Sequence, residues 1–330
     1  MSISKKEWLQ LLKNGSDSDW LEIKRQANEK KQQLYGKEVF LRGIIEFSNY
    51  CRKNCLYCGI RRDSPIKRYR LSESQICKIA KNIYASGVRT VVLQSGEDFY
   101  YDRNKIVKII RSIKQSCDVA ITLCIGERSF DDYKAFFDAG ASRFLIKHET
   151  SNPRLYEFYH PGERLRDRLN LFSKLKKIGY QVGLGNIVGL PKTTLKDYVN
   201  DVFLMKALDT DMAGIGPFVP SLHTPLAKET SPSSALVLKV VAMTRLVNED
   251  INIPATTALY TIGGERALKE ALQSGANVVM PNFTPSDWRS LYRLYDNKEP
   301  LALERTKDAI KKLHLQISEN TGERRYAKCA

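Results

Sequence analysis

The strongest constraint on the fold is an alternation that runs through nearly the whole chain, in which short apolar, β-branched runs are separated by longer stretches of helical periodicity. The candidate strands are VFLRGIIEF (39–47), RTVVLQ (89–94), VAITLCI (119–125), SRFLIKH (142–148), YQVGLGNIV (180–188), MAGIGPF (212–218), INIPATTAL (251–259) and ANVVMP (276–281). Between them, segments such as 72–86, 103–115, 130–140, 164–179, 194–208, 233–248 and 266–275 carry helical patterns. Gly87, Gly140, Gly179 and Gly275 each close a helical stretch just before the next strand, the usual punctuation of a helix C-terminus. Strands that are apolar throughout cannot leave a face in water, so they imply a parallel sheet covered by its helices. Eight such units, with no Gly-rich dinucleotide fingerprint after the first strand, predict an α/β fold of the closed (β/α)8 TIM type.

The 330 residues suit such a barrel, which occupies roughly 200–400 residues. The expected organisation is an N-terminal helical segment (1–37, helical from about Lys5 to Leu34), a barrel (38–300) and a C-terminal helix with a basic tail (301–330) that frays. An apolar fraction of 42% supports a sizeable core and excludes disordered and low-complexity classes. The charge of +16 directs attention to anionic partners, yet no RNA-binding module or aromatic-basic repeat accompanies it, which disfavours nucleic acid. Apolar stretches of only a few residues and a charged, amphipathic start predict a cytoplasmic chain that does not enter a membrane.

The seven cysteines (Cys51, Cys55, Cys58, Cys77, Cys117, Cys124 and Cys329) are odd in number and follow no secretory signal, which argues against a disulfide framework. Three of them form Cys-x3-Cys-x2-Cys directly after the first candidate strand, at the barrel end where chemistry is done. Three thiolates on a short loop suit a metal that wants soft ligands. A structural zinc site would need a fourth Cys or His at regular spacing, and none follows nearby. A [4Fe–4S] cluster held by Cys51, Cys55 and Cys58 instead leaves one iron open to a chelating molecule.

This spacing, with aromatic Tyr57 just before the third cysteine, resembles the signature of the radical S-adenosylmethionine (SAM) superfamily. The resemblance implies a [4Fe–4S] cluster that binds SAM and cleaves it reductively to a 5′-deoxyadenosyl radical. Along about residues 38–296 the segments EFSNYCRKNCLYCGIRRD (46–63), KRYRLS (67–72), VLQSGEDFYY (92–101), KHETSNPRLY (147–156), VGLPKTT (188–194), GIGPFVPSLHTPLA (214–227), IPATTA (253–258) and ANVVMPNFTP (276–285) resemble the HydE family of [FeFe]-hydrogenase maturases. That family belongs with the biotin synthase and methylornithine synthase group. Carried over position by position, the resemblance implies that Gln94, Ser95, Gly96 and Glu97 receive the methionyl amino group of SAM. It gives Glu149 the ribose hydroxyls, Arg168 the carboxylate, and the element around Val188 the adenosyl portion. Lys147 stands where the family pattern usually has Arg, so a planar fork is replaced by a point charge.

The remaining strand ends offer His148, Thr256, Thr257, Met280, Tyr292 and Tyr295 as substrate contacts. Each has a plainer alternative: Ser-Gly-Glu-Asp is also a turn and helix cap, His148 also suits a core, Arg168 is one of four neighbouring arginines, threonine is an ordinary strand residue, and Tyr292 and Tyr295 have the spacing of helix packing. The family resemblance further implies a small iron–cysteinate substrate bearing CO and cyanide, an external one-electron donor of flavodoxin or ferredoxin type, and other hydrogenase maturases as partners. The alternative within the group is a methylornithine synthase-like amino-acid mutase. Only Cys329 lies near the C-terminus and only Cys124 near a further strand end, which disfavours an accessory cluster and biotin synthase-type sulfur insertion.

Overall fold

The structure is a computed structural model that describes residues 3–325. The predicted first strand is two strands, β1 (Glu38–Leu41) and β2 (Gly43–Ser48), divided at Arg42. The ring then continues through β3 (Thr90–Ser95), β4 (Ala120–Cys124), β5 (Ala141–Leu145) and β6 (Gln181–Leu184). A short β7 (Ile187–Val188) precedes β8 (Met212–Ala213), followed by β9 (Gly216–Pro217), β10 (Pro254–Ala255), β11 (Val278–Val279) and β12 (Gln316–Ile317). Parallel pairing runs β2-β3-β4-β5-β6-β8, and a bridge between Met212 and Asn252 carries it to β10, then β11 and β1. Because β1 and β2 are halves of one strand, the ring closes, and the fold is a (β/α)8 barrel of the TIM type.

The helices are α1 (Lys5–Asn14), α2 (Asp17–Tyr35), α3 (Glu73–Ala85), α4 (Arg103–Ser116), α5 (Phe130–Asp138), α6 (Pro153–Tyr159), α7 (Leu165–Ile178), α8 (Leu195–Ala207), α9 (Ser234–Val247), α10 (Thr257–Gln273), α11 (Ser286–Arg289) and α12 (Leu303–Lys312). Their starts are written in the sequence: Ser72 with Gln75, Ser129 with Asp132, and Thr194 with Asp197 form reciprocal capping boxes. The N-terminal helical stretch is not continuous. It breaks at Gly15 because Ser16 starts a second capped helix with Asp19.

Alternation sorts the strand side chains. Val91, Leu93, Ile121 and Leu123 are fully buried in the main hydrophobic core, whereas Ile44, Glu46, Val92, Gln94, Thr122 and Cys124 face a central cavity.

Three stretches depart from expectation. Strand five is interrupted at Gly185, where an added Cβ would lie 2.2 Å from the carbonyl oxygen of Gly214, so only glycine permits that approach to strand six. Strand seven stops at Ala255, because the Thr256 hydroxyl caps α10 by accepting the N–H of Leu259 at 3.3 Å. The described part of the polar tail packs on the barrel and does not fray. β12 pairs with β1, the Thr321 carbonyl accepts from Thr90 Oγ1 and Arg143 Nη1 (both 2.8 Å), and the Gly322 carbonyl accepts from Asn252 Nδ2 (3.2 Å) and Arg42 Nη2 (3.3 Å). The buried donors at the N-terminal end of the barrel need acceptors, and the tail supplies them as a floor. Cys329 lies outside the described residues, and the other six cysteines are free thiols. Among the described residues no helix is long and apolar enough to cross a membrane.

Candidate active site

The cysteine loop after β2 has little regular structure and is held from outside itself. The Arg68 guanidinium donates to the carbonyls of Asn49 (2.5 Å), Ile60 (2.9 Å), Arg61 (2.6 Å) and Ser64 (3.0 Å). The Asn49 side chain accepts the N–H of Tyr69 (2.7 Å) and donates to the carbonyls of Lys67 (2.8 Å) and Leu291 (2.9 Å). The N–H groups of Leu56 and Gly59 reach the carbonyls of Tyr159 and Leu294. One planar cation thereby satisfies a turn's worth of otherwise orphaned carbonyls and fixes three cysteines at one rim.

Cys51, Cys55 and Cys58 line one cavity of about 390 Å³ inside the barrel. Burial pushes all three thiols up: Cys51 above its ordinary value, Cys55 well above, and Cys58 to about 12. Buried thiols of this kind become thiolates when a cation enters among them, which is the behaviour of metal ligands. Among the described residues no three such groups converge on a single ion. A cubane gives each thiolate its own iron, so three thiols spread round one cavity fit a cluster better than a mononuclear metal. Cys51 Sγ also accepts the Glu97 backbone N–H at 3.3 Å, the kind of hydrogen bond that tunes a cluster-bound sulfur.

Tyr57 is half-buried, its hydroxyl 2.8 Å from His160 Nε2. His160 Nδ1 lies 2.8 Å from the Tyr156 carbonyl, which can only accept. The proton therefore sits on Nδ1, and Nε2 accepts from Tyr57. Burial, helped by nearby Arg168, holds His160 below its ordinary value and so neutral.

Beside the cysteines, and sharing their loop through Arg52 and Lys53, lies a network of alternating charge. Glu97 pairs with Arg52 (2.5 Å) and accepts the Glu127 N–H (2.8 Å). Lys53 pairs with Glu163 (2.9 Å) and Glu127 (3.4 Å), and Arg168 with the same two carboxylates (both 3.1 Å). Burial alone would lower the Arg168 pKa, but Tyr156, Glu127 and Glu163 raise it on balance, so the guanidinium stays charged. Its neighbours Arg154, Arg164 and Arg166 are exposed. Lys147 pairs with Glu149 at 2.9 Å. Glu149 has a left-handed backbone (φ 58°), held by bonds from its N–H to the Gly185 carbonyl and from the Ile187 N–H to its own carbonyl (both 2.9 Å).

The cavity brings together the three cysteines, Tyr57, Gln94 to Glu97, Lys147, Glu149 and Arg168 with Thr256, Thr257, Met280, Tyr292 and Tyr295. It leaves out two sequence candidates. His148 falls between inward-facing Lys147 and Glu149 and points away: it is fully buried, with Nδ1 3.4 Å from the Gly185 N–H and Nε2 3.6 Å from Asp201. Val188 is fully buried in the β7–β9 pair, its carbonyl accepting the Phe218 N–H at 2.7 Å. Sequence reading missed Glu46, Lys298, Lys53, Glu163 and His160. Glu46 carried a signal, a carboxylate inside an apolar strand; the others carried none.

A cysteine triad at the C-terminal mouth of a barrel, beside a set of charged groups, defines a radical SAM enzyme, and the sequence profile of the radical SAM superfamily matches residues 45–205. This enzyme class uses a [4Fe–4S] cluster and SAM, for which Cys51, Cys55 and Cys58 are the fitting ligands. The chain is 48% identical over 275 residues to the [FeFe] hydrogenase maturase subunit HydE of Thermotoga maritima, covering 82% of this chain and 78% of that one. It belongs to the HydE family. It is also 29% identical over 263 residues to 3-methylornithine synthase of Methanosarcina acetivorans, covering 79% of this chain and 74% of that one. Among solved structures, methylornithine synthase (PylB) superposes with a TM-score of 0.87 at 24% identity, over 96% of this chain and 95% of that one. The maturase HydG of Carboxydothermus hydrogenoformans gives 0.82 at 21% identity, over 97% of this chain and 77% of that one. These two likenesses concern the fold.

Proposed function

We propose that this radical SAM enzyme acts in assembly of the [FeFe]-hydrogenase catalytic cluster, on a small iron–cysteinate substrate bearing CO and cyanide. The observation that carries the reading is a single cavity opening on the three cysteines and on the strand-end residues Gln94, Lys147, Glu149, Thr256, Thr257 and Met280. When bound, the cluster and SAM supply a 5′-deoxyadenosyl radical in this space. Cys51, Cys55 and Cys58 hold the cluster; Arg168, fixed by Glu163 and Glu127, orients the SAM carboxylate; Glu97 and Gly96 set the amino end; Lys147 and Glu149 orient the ribose. The barrel wall and the tail floor exclude water, which a radical-generating site requires.

In this reading the chain divides into an N-terminal helical segment (1–37), the barrel (38–300) and a C-terminal segment (301–330), of which the described residues pack two helices on the barrel at one end and supply the last helix and the floor at the other. The enzyme works in the cytoplasm, takes electrons from an external one-electron donor of flavodoxin or ferredoxin type, and exchanges substrate with other hydrogenase maturases. The test is mass-spectrometric detection of 5′-deoxyadenosine from anaerobically reconstituted protein, with the synthetic iron–cysteinate carbonyl cyanide complex, with lysine, or with neither. Stimulation by the iron complex is expected. Stimulation by lysine alone would point to an amino-acid mutase and overturn the reading. Cys55→Ala should abolish cleavage under all three conditions.

A further inference from the structure

Glu46 is the unexplained charge in the cavity wall. It is 2% exposed and its main chain is fixed on both sides, its N–H donating to Thr284 Oγ1 (2.8 Å) and its carbonyl accepting from the Tyr69 hydroxyl (2.7 Å). One carboxylate oxygen, Oε1, pairs with the Lys298 ammonium. The other, Oε2, is buried and has no hydrogen-bond partner among the described residues. A buried carboxylate oxygen left unpaired carries its full desolvation cost, so its persistence in a cavity wall calls for a donor from elsewhere.

Lys298 has a complementary vacancy. Its ammonium, 9% exposed at the side chain, donates to Glu46 and to the Tyr292 carbonyl (3.3 Å), which accounts for two of its three N–H donors. Both residues line the same cavity as the cysteines. Among the described residues no hydrogen bond or ion pair joins them to the Arg52–Glu97–Arg168 network.

Charge balance selects the ligand. The Glu46–Lys298 pair is neutral, so a lone ammonium or a lone carboxylate would bring an uncompensated charge into a buried site. A zwitterion brings one of each, giving its ammonium to Glu46 Oε2 and its carboxylate to the third Lys298 N–H, which has no oxygen acceptor among the described residues while the ammonium lies 4.8 Å from the centre of the Tyr292 ring. We propose that Glu46 and Lys298 form a subsite for the amino and carboxylate groups of an α-amino-acid moiety of the substrate. The proposal rests on the functional reading above, which places an amino-acid-derived substrate in this cavity, and it names the groups that read it.

The test uses reconstituted, SAM-saturated protein, so that the open iron is already occupied, and a ligand set without thiols: L-serine, 3-hydroxypropionate (no amine) and ethanolamine (no carboxylate). Dissociation constants are measured by calorimetry or ligand-observed NMR, with the SAM dissociation constant as control. L-Serine should bind at least tenfold more tightly than either truncated ligand. Glu46→Gln should remove its advantage over 3-hydroxypropionate, and Lys298→Met its advantage over ethanolamine. Equal binding of L-serine and 3-hydroxypropionate by the unsubstituted protein overturns the subsite, and that comparison needs no variant to fold. Full L-serine affinity in both variants also overturns it. Iron-complex-stimulated SAM cleavage alongside either negative result leaves the functional reading standing, whereas absence of that stimulation is a failure of the functional reading itself.

Discussion

Gly96→Ala should disable the cysteine loop without touching a cysteine. A Cβ built on Gly96 meets the Tyr50 carbonyl oxygen at 2.2 Å and Cys51 Cβ at 2.7 Å, whereas ordinary contact begins at 3.4 Å. Both obstacles belong to the loop that carries the first ligand, and the nearer one is backbone, which cannot swing aside. Relief therefore requires β3 and the loop to separate by about 1 Å, across a seam closed by three hydrogen bonds: Gly96 N–H to the Ser48 carbonyl (3.1 Å), Arg52 N–H to the Glu97 carbonyl (3.1 Å) and Glu97 N–H to Cys51 Sγ (3.3 Å). At roughly 1 kcal/mol each these cost about 3 kcal/mol, within the range of an overpacked core. A 1 Å misplacement of a reacting group also costs on the order of a hundredfold in rate. The assay is iron content and visible absorbance after anaerobic reconstitution, then 5′-deoxyadenosine formation, with urea unfolding for stability. The variant should lose about 3 kcal/mol and at least tenfold in cleavage rate. Unchanged iron loading and unchanged cleavage would refute the reasoning, because they would mean the close approach at Gly96 does not set the position of Cys51.

Arg168→Gln, which removes the charge held by Glu163 and Glu127, should retain the cluster yet raise the SAM dissociation constant tenfold or more, as expected for a charge-assisted contact of about 1.5–3 kcal/mol; unchanged affinity in equilibrium binding would remove Arg168 from the SAM site. A chain ending at Asn320 loses the Thr321 and Gly322 carbonyls that satisfy Thr90, Arg143, Asn252 and Arg42, and should lose about 4 kcal/mol in chemical denaturation; a loss under 1 kcal/mol would mean the floor is dispensable. Buried Lys31, whose ammonium donates to the Leu272 carbonyl at 2.6 Å, is pushed down from its ordinary 10.5 to about 8 by burial and then by Arg245. Between those values the unfolded chain binds more protons, so this group makes stability rise with pH from about 8 to 10.5, and its penalty of about 3 kcal/mol is complete below 8. Lys31→Met should accordingly be more stable than the parent at pH 7, with the gap closing by pH 10; a gap that widens with pH reverses the sign and sinks the argument.

The barrel was legible because its period is local: an apolar strand, a capped helix and a closing glycine repeat along the chain, and each is decided by neighbours a few residues away. The cysteine triad was legible for the same reason, since three cysteines within eight residues need no tertiary contact to be found together. Strand alternation shows where local reading fell short: KHE (147–149) looked like three candidates, but only Lys147 and Glu149 share a face, and His148 goes to the packing layer beside Asp201. Thr256 reached the cavity from a helix cap and not from a strand. Tyr292, fully buried, does line the cavity, yet it also lends its carbonyl to Lys298, a contact the helical spacing of 292 and 295 does not reveal.

By itself the sequence determined the repeat count, the cysteine triad and the class of chemistry, because each depends on residue type at short spacing. Tertiary structure alone decided which charges meet. Glu46 pairs with a lysine 252 positions away, Arg68 ties the cysteine loop, and a tail expected to fray becomes the floor of the barrel. The physical reason is that a buried polar group must find its partner wherever ring closure brings one within hydrogen-bond reach, and separation along the chain carries no record of that distance.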